Sequence, residues 1–228
     1  MKLLLRFMLG CAIFALLVGS GCGGGSSSST RLRVLHASPN SVAFDVLVDK
    51  STFATGLPYS SSTGYEGVSS GSRQIQVEPT GTTNFIIDTT VNLSSSTDYT
   101  LMIAGLANGL STVLLTDNNT APSSGDFSIR FVHGSPAPGP LDIYLTGPSD
   151  DLNTATPVQS SLSFKSASSY VTQTAGTFRI RMTAAGSKAV LVDSGAVTFS
   201  AGQIRTVVAL DAPGGGPPIS AVILADLN

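Results

Sequence analysis

The chain has 228 residues, with 12 Lys and Arg against 14 Asp and Glu, two His, two Cys and no Trp. A formal charge of −2 with no cluster of Lys or Arg excludes the basic footprint that nucleic-acid binding needs. Glutamate is confined to Glu66 and Glu78, and no paired carboxylates suit glycoside hydrolysis.

The first 21 residues read as a targeting segment. Met1-Lys2 and Arg6 make a short positive region, and the apolar run over 8–18 is too short to span a bilayer. Small residues then lead to Cys22 through Gly19-Ser20-Gly21. Taken alone, these residues also fit an ordinary secretory signal with an incidental Cys. The stretch resembles the bacterial lipoprotein signal, in which cleavage precedes a Cys that takes the lipid; Cys11 has almost no apolar region before it. That resemblance implies a multiply acylated Cys22, with palmitate among its chains, because one chain anchors a protein only marginally. It also implies the outer rather than the inner membrane, since Gly23 stands where an Asp would favour inner-membrane retention.

Removing Lys2 and Arg6 from the 12 bases leaves 10 against 14 acids. Cys22 is then the one thiol left, so no internal disulfide is expected although an exported protein could form one. Residues 22–30 form a Gly/Ser tether, with a mean reach of about 16 Å for its eight flexible residues.

Beyond the tether the pattern is all-β: short apolar and polar alternations separated by Gly, Ser, Thr, Asn and Pro. Strands are predicted near 32–37, 43–49, 64–68, 72–78, 84–89, 98–104 and 110–116. A second series falls near 129–134, 141–146, 161–164, 168–172, 177–183, 188–193, 203–210 and 219–225. The two series are copies. Arg33-Val34-Leu35-His36-Ala37-Ser38-Pro39, followed by Asp45, recurs 97 positions later as Arg130-Phe131-Val132-His133-Gly134-Ser135-Pro136, followed by Asp142. Later segments also match, up to Ser111–Asp117 against 220–226. The expected organisation is a first repeat at 31–117, a linker at 118–126 and a second repeat at 127–228. Each repeat is expected to be a β-sandwich of immunoglobulin-like or transthyretin-like kind.

The Arg-x-x-His-x-Ser-Pro phrase, the Phe44-Asp45-Val46 and Leu141-Asp142-Ile143 strands, and the turns at Ala175-Gly176-Thr177-Phe178 and Ala201-Gly202 are similar to the family called domain of unknown function 4397. Its members are exported bacterial proteins, often lipoproteins, commonly with the domain repeated. The resemblance implies fold and location and brings no reaction.

If the strands around Pro39 and Pro136 form antiparallel hairpins, Arg33 faces Asp45 and Arg130 faces Asp142, and each repeat holds a cross-strand ion pair. His36 and His133 extend the inward apolar stripe and read as neutral, hydrogen-bonded groups. Ser38 and Ser135 then shape the turns that Pro39 and Pro136 enter. Those same residues admit a catalytic reading, because His, Ser and Asp recur together. Against it, Ser follows His by two residues on one strand, and Pro39 removes a nearby backbone donor. The expectation is therefore no catalytic residue, no metal site and no cofactor. Ser149-Asp150-Asp151-Leu152-Asn153 offers oxygen ligands for Ca²⁺ without EF-hand spacing. Arg179 and Arg181 read as the solvated face of a strand.

The functional expectation is a lipid-anchored cell-envelope protein acting as a non-enzymatic binding or structural module. Its partner would be another envelope protein, a polysaccharide or a matrix component, with the membrane engaged through the N-terminal lipid and nucleic acid excluded. The rival is an envelope hydrolase or a Ca²⁺-dependent binding protein using the His-Ser-Pro/Asp corner or the 148–153 loop.

Overall fold

The computed structural model describes residues 29–227. The targeting segment, Cys22 and the tether through residue 28 lie outside the described residues. What is described is sixteen strands and no helix. Eight belong to the first repeat: β1 (Thr30–Ala37), β2 (Phe44–Val48), β3 (Ser51–Leu57), β4 (Glu66–Val68), β5 (Gly71–Pro79), β6 (Ile87–Leu93), β7 (Asp98–Ala104) and β8 (Ser111–Asp117). Eight follow in the second: β9 (Asp126–His133), β10 (Leu141–Thr146), β11 (Gln159–Leu162), β12 (Val171–Thr174), β13 (Gly176–Ala184), β14 (Val190–Phe199), β15 (Ile204–Leu210) and β16 (Ser220–Leu227).

They make four four-stranded sheets, ordered β4-β1-β7-β8 and β3-β2-β5-β6, then β12-β9-β15-β16 and β11-β10-β13-β14. The fold is all-β, two sandwiches in tandem. At the middle of one sheet per repeat lies a parallel pair, β1 with β7 and β9 with β15. Parallel pairs are found where both faces are covered, and their strands read as nearly continuous apolar runs. That holds for both sheets. Leu32 and Val34 face the first sandwich core with Leu101 and Ile103, against Phe44, Val46, Ile75 and Val77 of the other sheet. The alternate residues Leu35, Ala37, Met102 and Ala104 face away, and pack on Val132, Val208, Leu210 and Leu224 of the second repeat. The second sandwich has its own core, built on Phe127, Ile129, Phe131, Ile143, Ile180 and Val207. The molecule is thus four sheets deep, with three apolar layers between them. The two sheets holding the parallel pairs are inner, and the other two are outer.

Two features of the sequence reading are corrected. The phrase at residues 33–39 does not start a hairpin with the strand at 44–48. β1 pairs with β4 and β7, and β2 pairs with β3 and β5, so residues 38–43 carry the chain from the inner to the outer sheet. β3 was not expected at all. It follows β2 through Asp49 and Lys50, both at positive φ (50° and 67°), the geometry of a tight two-residue hairpin turn. Asp-Lys is a poor match to the Asn-Gly signature of that turn, and β3 fully buries only Leu57, so neither turn nor burial marks it. The strands predicted at 84–89 and 188–193 run to Leu93 and Phe199.

Candidate functional site

His36 is the last residue but one of β1 and His133 the last of β9; both lie on the inward stripe and are completely buried. His36 lies flat on Phe44, with ring centroids 4.0 Å apart, and edge-on to Tyr59. Its Nδ1 accepts from the Ser38 amide (3.2 Å), which leaves Nε2 protonated to donate to the Val42 carbonyl (3.0 Å). Burial pushes the pKa of both imidazoles below the ordinary value; the bonds to the Val42 and Gly139 carbonyls oppose it. The imidazole therefore closes the turn from inside as a neutral group.

Ser38 and Ser135 do not bond the imidazoles through their hydroxyls. The Ser38 hydroxyl meets that of Ser41 at 2.7 Å, and the Ser135 hydroxyl donates to the carboxylate of Asp211. Asp211 also takes the amides of Ala137 and Gly216. The first repeat has Gly105 where Asp211 stands, so the two corners differ there. Pro39 accepts from the Gly214 amide through its carbonyl (2.7 Å), and Tyr59 donates to the carbonyl of Asp211 (2.7 Å). These two bonds tie the corners of the two repeats together. Pro136 and Ala137, with Asn40 and Leu106 of the first repeat, line a shallow cleft of about 240 Å³ beside the glycines at 214–216.

Asp45 and Asp142 lie on the outer sheets, away from Arg33 and Arg130. Asp45 accepts from the Gly56 amide (2.6 Å), the Thr80 hydroxyl (2.9 Å) and the Gly81 amide (3.4 Å), and these bonds hold its carboxyl below the usual range. Asp142 accepts from the amides of Ser161 and Gly186, each at 2.8 Å. Both acids pin loops. The cross-strand ion pairs expected from the sequence do not exist, because the hairpin they needed does not form. In the second corner the Ser135 hydroxyl meets the Asp211 carboxylate, but the His133 imidazole bonds neither of them and turns its Nε2 to the Gly139 carbonyl; in the first corner the Ser38 hydroxyl meets Ser41 instead of an acid.

The two arginines instead reach across to the opposite repeat. Arg33 bonds Asp226 at 2.5 Å and the Ala225 carbonyl at 2.9 Å. Arg130 bonds Asp117 and the Thr116 carbonyl. Arg33 Nε donates to the Thr100 hydroxyl, which donates to Asp117; Arg130 Nε donates to the Thr206 hydroxyl, which donates to Asp226. The six side chains close a ring, Arg33-Thr100-Asp117-Arg130-Thr206-Asp226, with three members from each repeat. Tyr65 lies 4.7 Å under the Arg33 guanidinium and donates to Asp117. Tyr170 lies 4.9 Å under Arg130 and donates to Asp226. Burial and the nearby carboxylates raise both phenol pKa values, so these hydroxyls stay protonated donors. Burial works against the Arg130 charge, but Asp117, Tyr170 and Asp226 outweigh it and raise its pKa. A buried charge pair is tolerable when its remaining donors and acceptors are satisfied, and here the ring satisfies them.

Thr100, Asp117, Thr206, Asp226, Tyr65 and Tyr170 carried no role in the sequence reading. One signal was present: Asp117 and Asp226 end matched segments, as Arg33 and Arg130 begin them.

The loop at 148–153 is internally consumed. Asp150 accepts from the Gly147 amide, and Asp151 from the amide and side chain of Asn153. Lys188 Nζ binds the Leu152 and Ala155 carbonyls at 2.8 and 2.7 Å, and Arg181 binds the Asp150 carbonyl at 3.0 Å. An internal ammonium and a guanidinium hold the oxygens that Ca²⁺ would need. Arg181 is buried, not solvated, whereas Arg179 is partly exposed and paired with Asp193. Among the described residues, no group of three or more His, Cys, Asp or Glu is placed to hold a metal ion.

Two solved structures are similar over most of their length. One is described as alpha-glucan binding by a streptococcal virulence factor, 9% identical, covering 84% of this chain and 96% of that one, with a TM-score of 0.27. The other is CBMbc, of family CBM26, from Eubacterium rectale Amy13K in complex with maltoheptaose, 9% identical, covering 88% and 98%, with a TM-score of 0.26. Comparison with curated proteins gives no match. The family model described as domain of unknown function (DUF4397) matches residues 30–144, just over half of the chain, spanning the first repeat and reaching β10 of the second. The chain belongs to the DUF4397 family.

Proposed function

We propose that this chain is a lipid-anchored cell-envelope protein whose two-repeat body binds or holds a partner without catalysing a reaction on it. The observation that supports this reading is the fate of the recurring polar residues. Arg33, His36, Ser38, Arg130, His133 and Ser135 are all buried, and their bonds shape turns or join the repeats. Function then falls to the outer surface. Phe85 and Ile86 are 46% and 42% exposed, and Val190 and Leu191, at the matching positions of the second repeat, are 45% and 37% exposed. Contiguous exposed apolar surface marks contact sites, and these two adjacent pairs, one at each outer sheet, are where this reading places the contact. The partner class is an envelope protein, a polysaccharide or a matrix component, reached from a body held near the outer membrane by an acylated Cys22.

Fractionation of cells carrying Cys22→Ser tests the anchor: the protein should leave the membrane fraction, and tight association of the variant would count against lipidation. Crosslinking in intact envelopes, comparing the parent with a variant carrying Phe85→Ser, Ile86→Ser and Leu191→Ser, tests the surface. An unchanged crosslinking pattern would remove this face from the reading.

A further inference from the structure

The ring of six side chains has a consequence beyond holding one chain together. Each repeat contributes one Arg, one Thr and one Asp at matched positions, and each Arg binds the Asp of the other repeat. The ring is isologous in form: one patch meets its own kind, and each of its groups finds its opposite number, while the corner bonds Tyr59–Asp211 and Gly214–Pro39 lie outside that symmetry. The first repeat therefore carries both halves of the contact in Arg33 and Asp117, and the second carries both in Arg130 and Asp226. The apolar part follows the same rule, with Leu35, Met102 and Leu115 opposed by Val132, Val208 and Leu224. No ring member lies in the connecting segment 118–125, so nothing in the contact itself requires the two repeats to belong to one chain.

We propose that the inner face of each repeat is a recognition surface whose partner is another repeat of the same family, so that repeats from separate copies of the chain can pair through it as those of one chain do. The chemistry is selective. A partner must bring an Arg and an Asp in this arrangement, with an apolar field around them. A partner lacking either leaves a desolvated charge unpaired, and such mismatches are what exclude wrong partners.

The test uses the mature chain with a protease site replacing residues 119–124, its thermal midpoint first matched to the parent. After cutting, native mass spectrometry is run on the protein alone and on a mixture with an isotopically labelled, equally cut copy. Both halves should remain in one particle, and mixing should give pairs of one labelled and one unlabelled half. Asp226→Asn should weaken the pairing roughly 100-fold or more, as expected for a broken buried pair. Thr206→Val keeps every charge and its shape, and should weaken it roughly tenfold; it serves if the Asn variant does not fold. Halves that separate into monomers at micromolar concentration, or that stay paired without any exchange near the thermal midpoint, would overturn the proposal.

Discussion

Arg33 and Asp226 are bonded at 2.5 Å across 193 residues of sequence, with side chains 2% and 0% exposed. Arg130 and Asp117 repeat the relationship in the opposite sense, 13 residues apart. The two bonds make the ends of each repeat dependent on the other repeat.

Removing one member of such a pair strands a charge away from water. Asp226→Ala should lower the unfolding free energy by about 3–5 kcal/mol. Arg73→Ala, which breaks the exposed pair with Asp49, should change it far less, because solvent screens that pair. Equilibrium urea unfolding of the three proteins measures the contrast. A double-mutant cycle between Arg33 and Asp226 should give strong coupling, and one between Arg33 and Asp45 should give none. Equal coupling in the two cycles would contradict the ring.

Stability should fall with acid in a window set by the histidines. Burial holds both folded-state pKa values below 6.5, the value expected in the unfolded chain. Below pH 6.5 the unfolded state binds protons that the folded state does not, so stability drops as pH falls from 6.5 toward the folded pKa and is flat above it. Urea midpoints between pH 5 and 8 should show this slope. His36→Phe should remove roughly half of it while lowering stability at every pH. The Asp193 carboxyl, held to about 2 chiefly by its bond to Arg179, adds stability above pH 3.8 that is lost only as pH falls toward 2. An unchanged slope in the His36 variant would show that the proton uptake lies elsewhere.

Gly134 and Leu210 should be coupled. A Cβ at Gly134 would lie 3.1 Å from the Ala209 carbonyl and Val208 Cγ1, and 3.2 Å from Leu210 Cδ2. The first repeat solves the same packing with Ala37 opposite Ala104. Gly134→Ala should therefore destabilise by about 1–3 kcal/mol through overpacking. Adding Leu210→Ala should cost less in that background than in the parent, with a coupling of about 0.5–3 kcal/mol. Strict additivity in denaturant melts would show that the backbone, not Leu210, sets the limit.

Calcium should leave the thermal midpoint where EDTA leaves it. A ligand that binds the native state raises the midpoint by mass action. At 148–153 the carbonyls are held by Lys188 and Arg181, and the carboxylates by local amides. A Ca²⁺-dependent rise in scanning calorimetry would contradict that assignment.

The sandwich class was legible in the chain because alternation and turn residues are local signals. So was the duplication, carried by Arg33, His36, Ser38, Pro39 and Asp45 against their copies. Which strands pair was not legible. β1 and β7 are parallel partners 67 residues apart, and nothing near residue 33 distinguishes that partner from the strand at 44–48. The hairpin assumption then sent Arg33 to the wrong acid. One clue had been available in β1 and β9: Leu32, Val34 and Leu35, like Phe131 and Val132, are apolar on both faces, which a solvated outer sheet does not need. Arg33 sits in that second apolar face, and a guanidinium there demands a buried acid. Asp117 and Asp226 met the demand from the far ends of matched segments, where only the tertiary structure joins them.

The interlocked inner sheets also order events in time. During synthesis the first repeat can complete its own core once residue 117 has emerged, but its inner face, with Leu35, Met102 and a lone guanidinium, stays uncovered until β16 is made. For more than a hundred residues of elongation that face is a sticky, unfinished surface. Slow synthesis of the second repeat should lengthen that exposure, and with it the chance that the face meets the wrong surface.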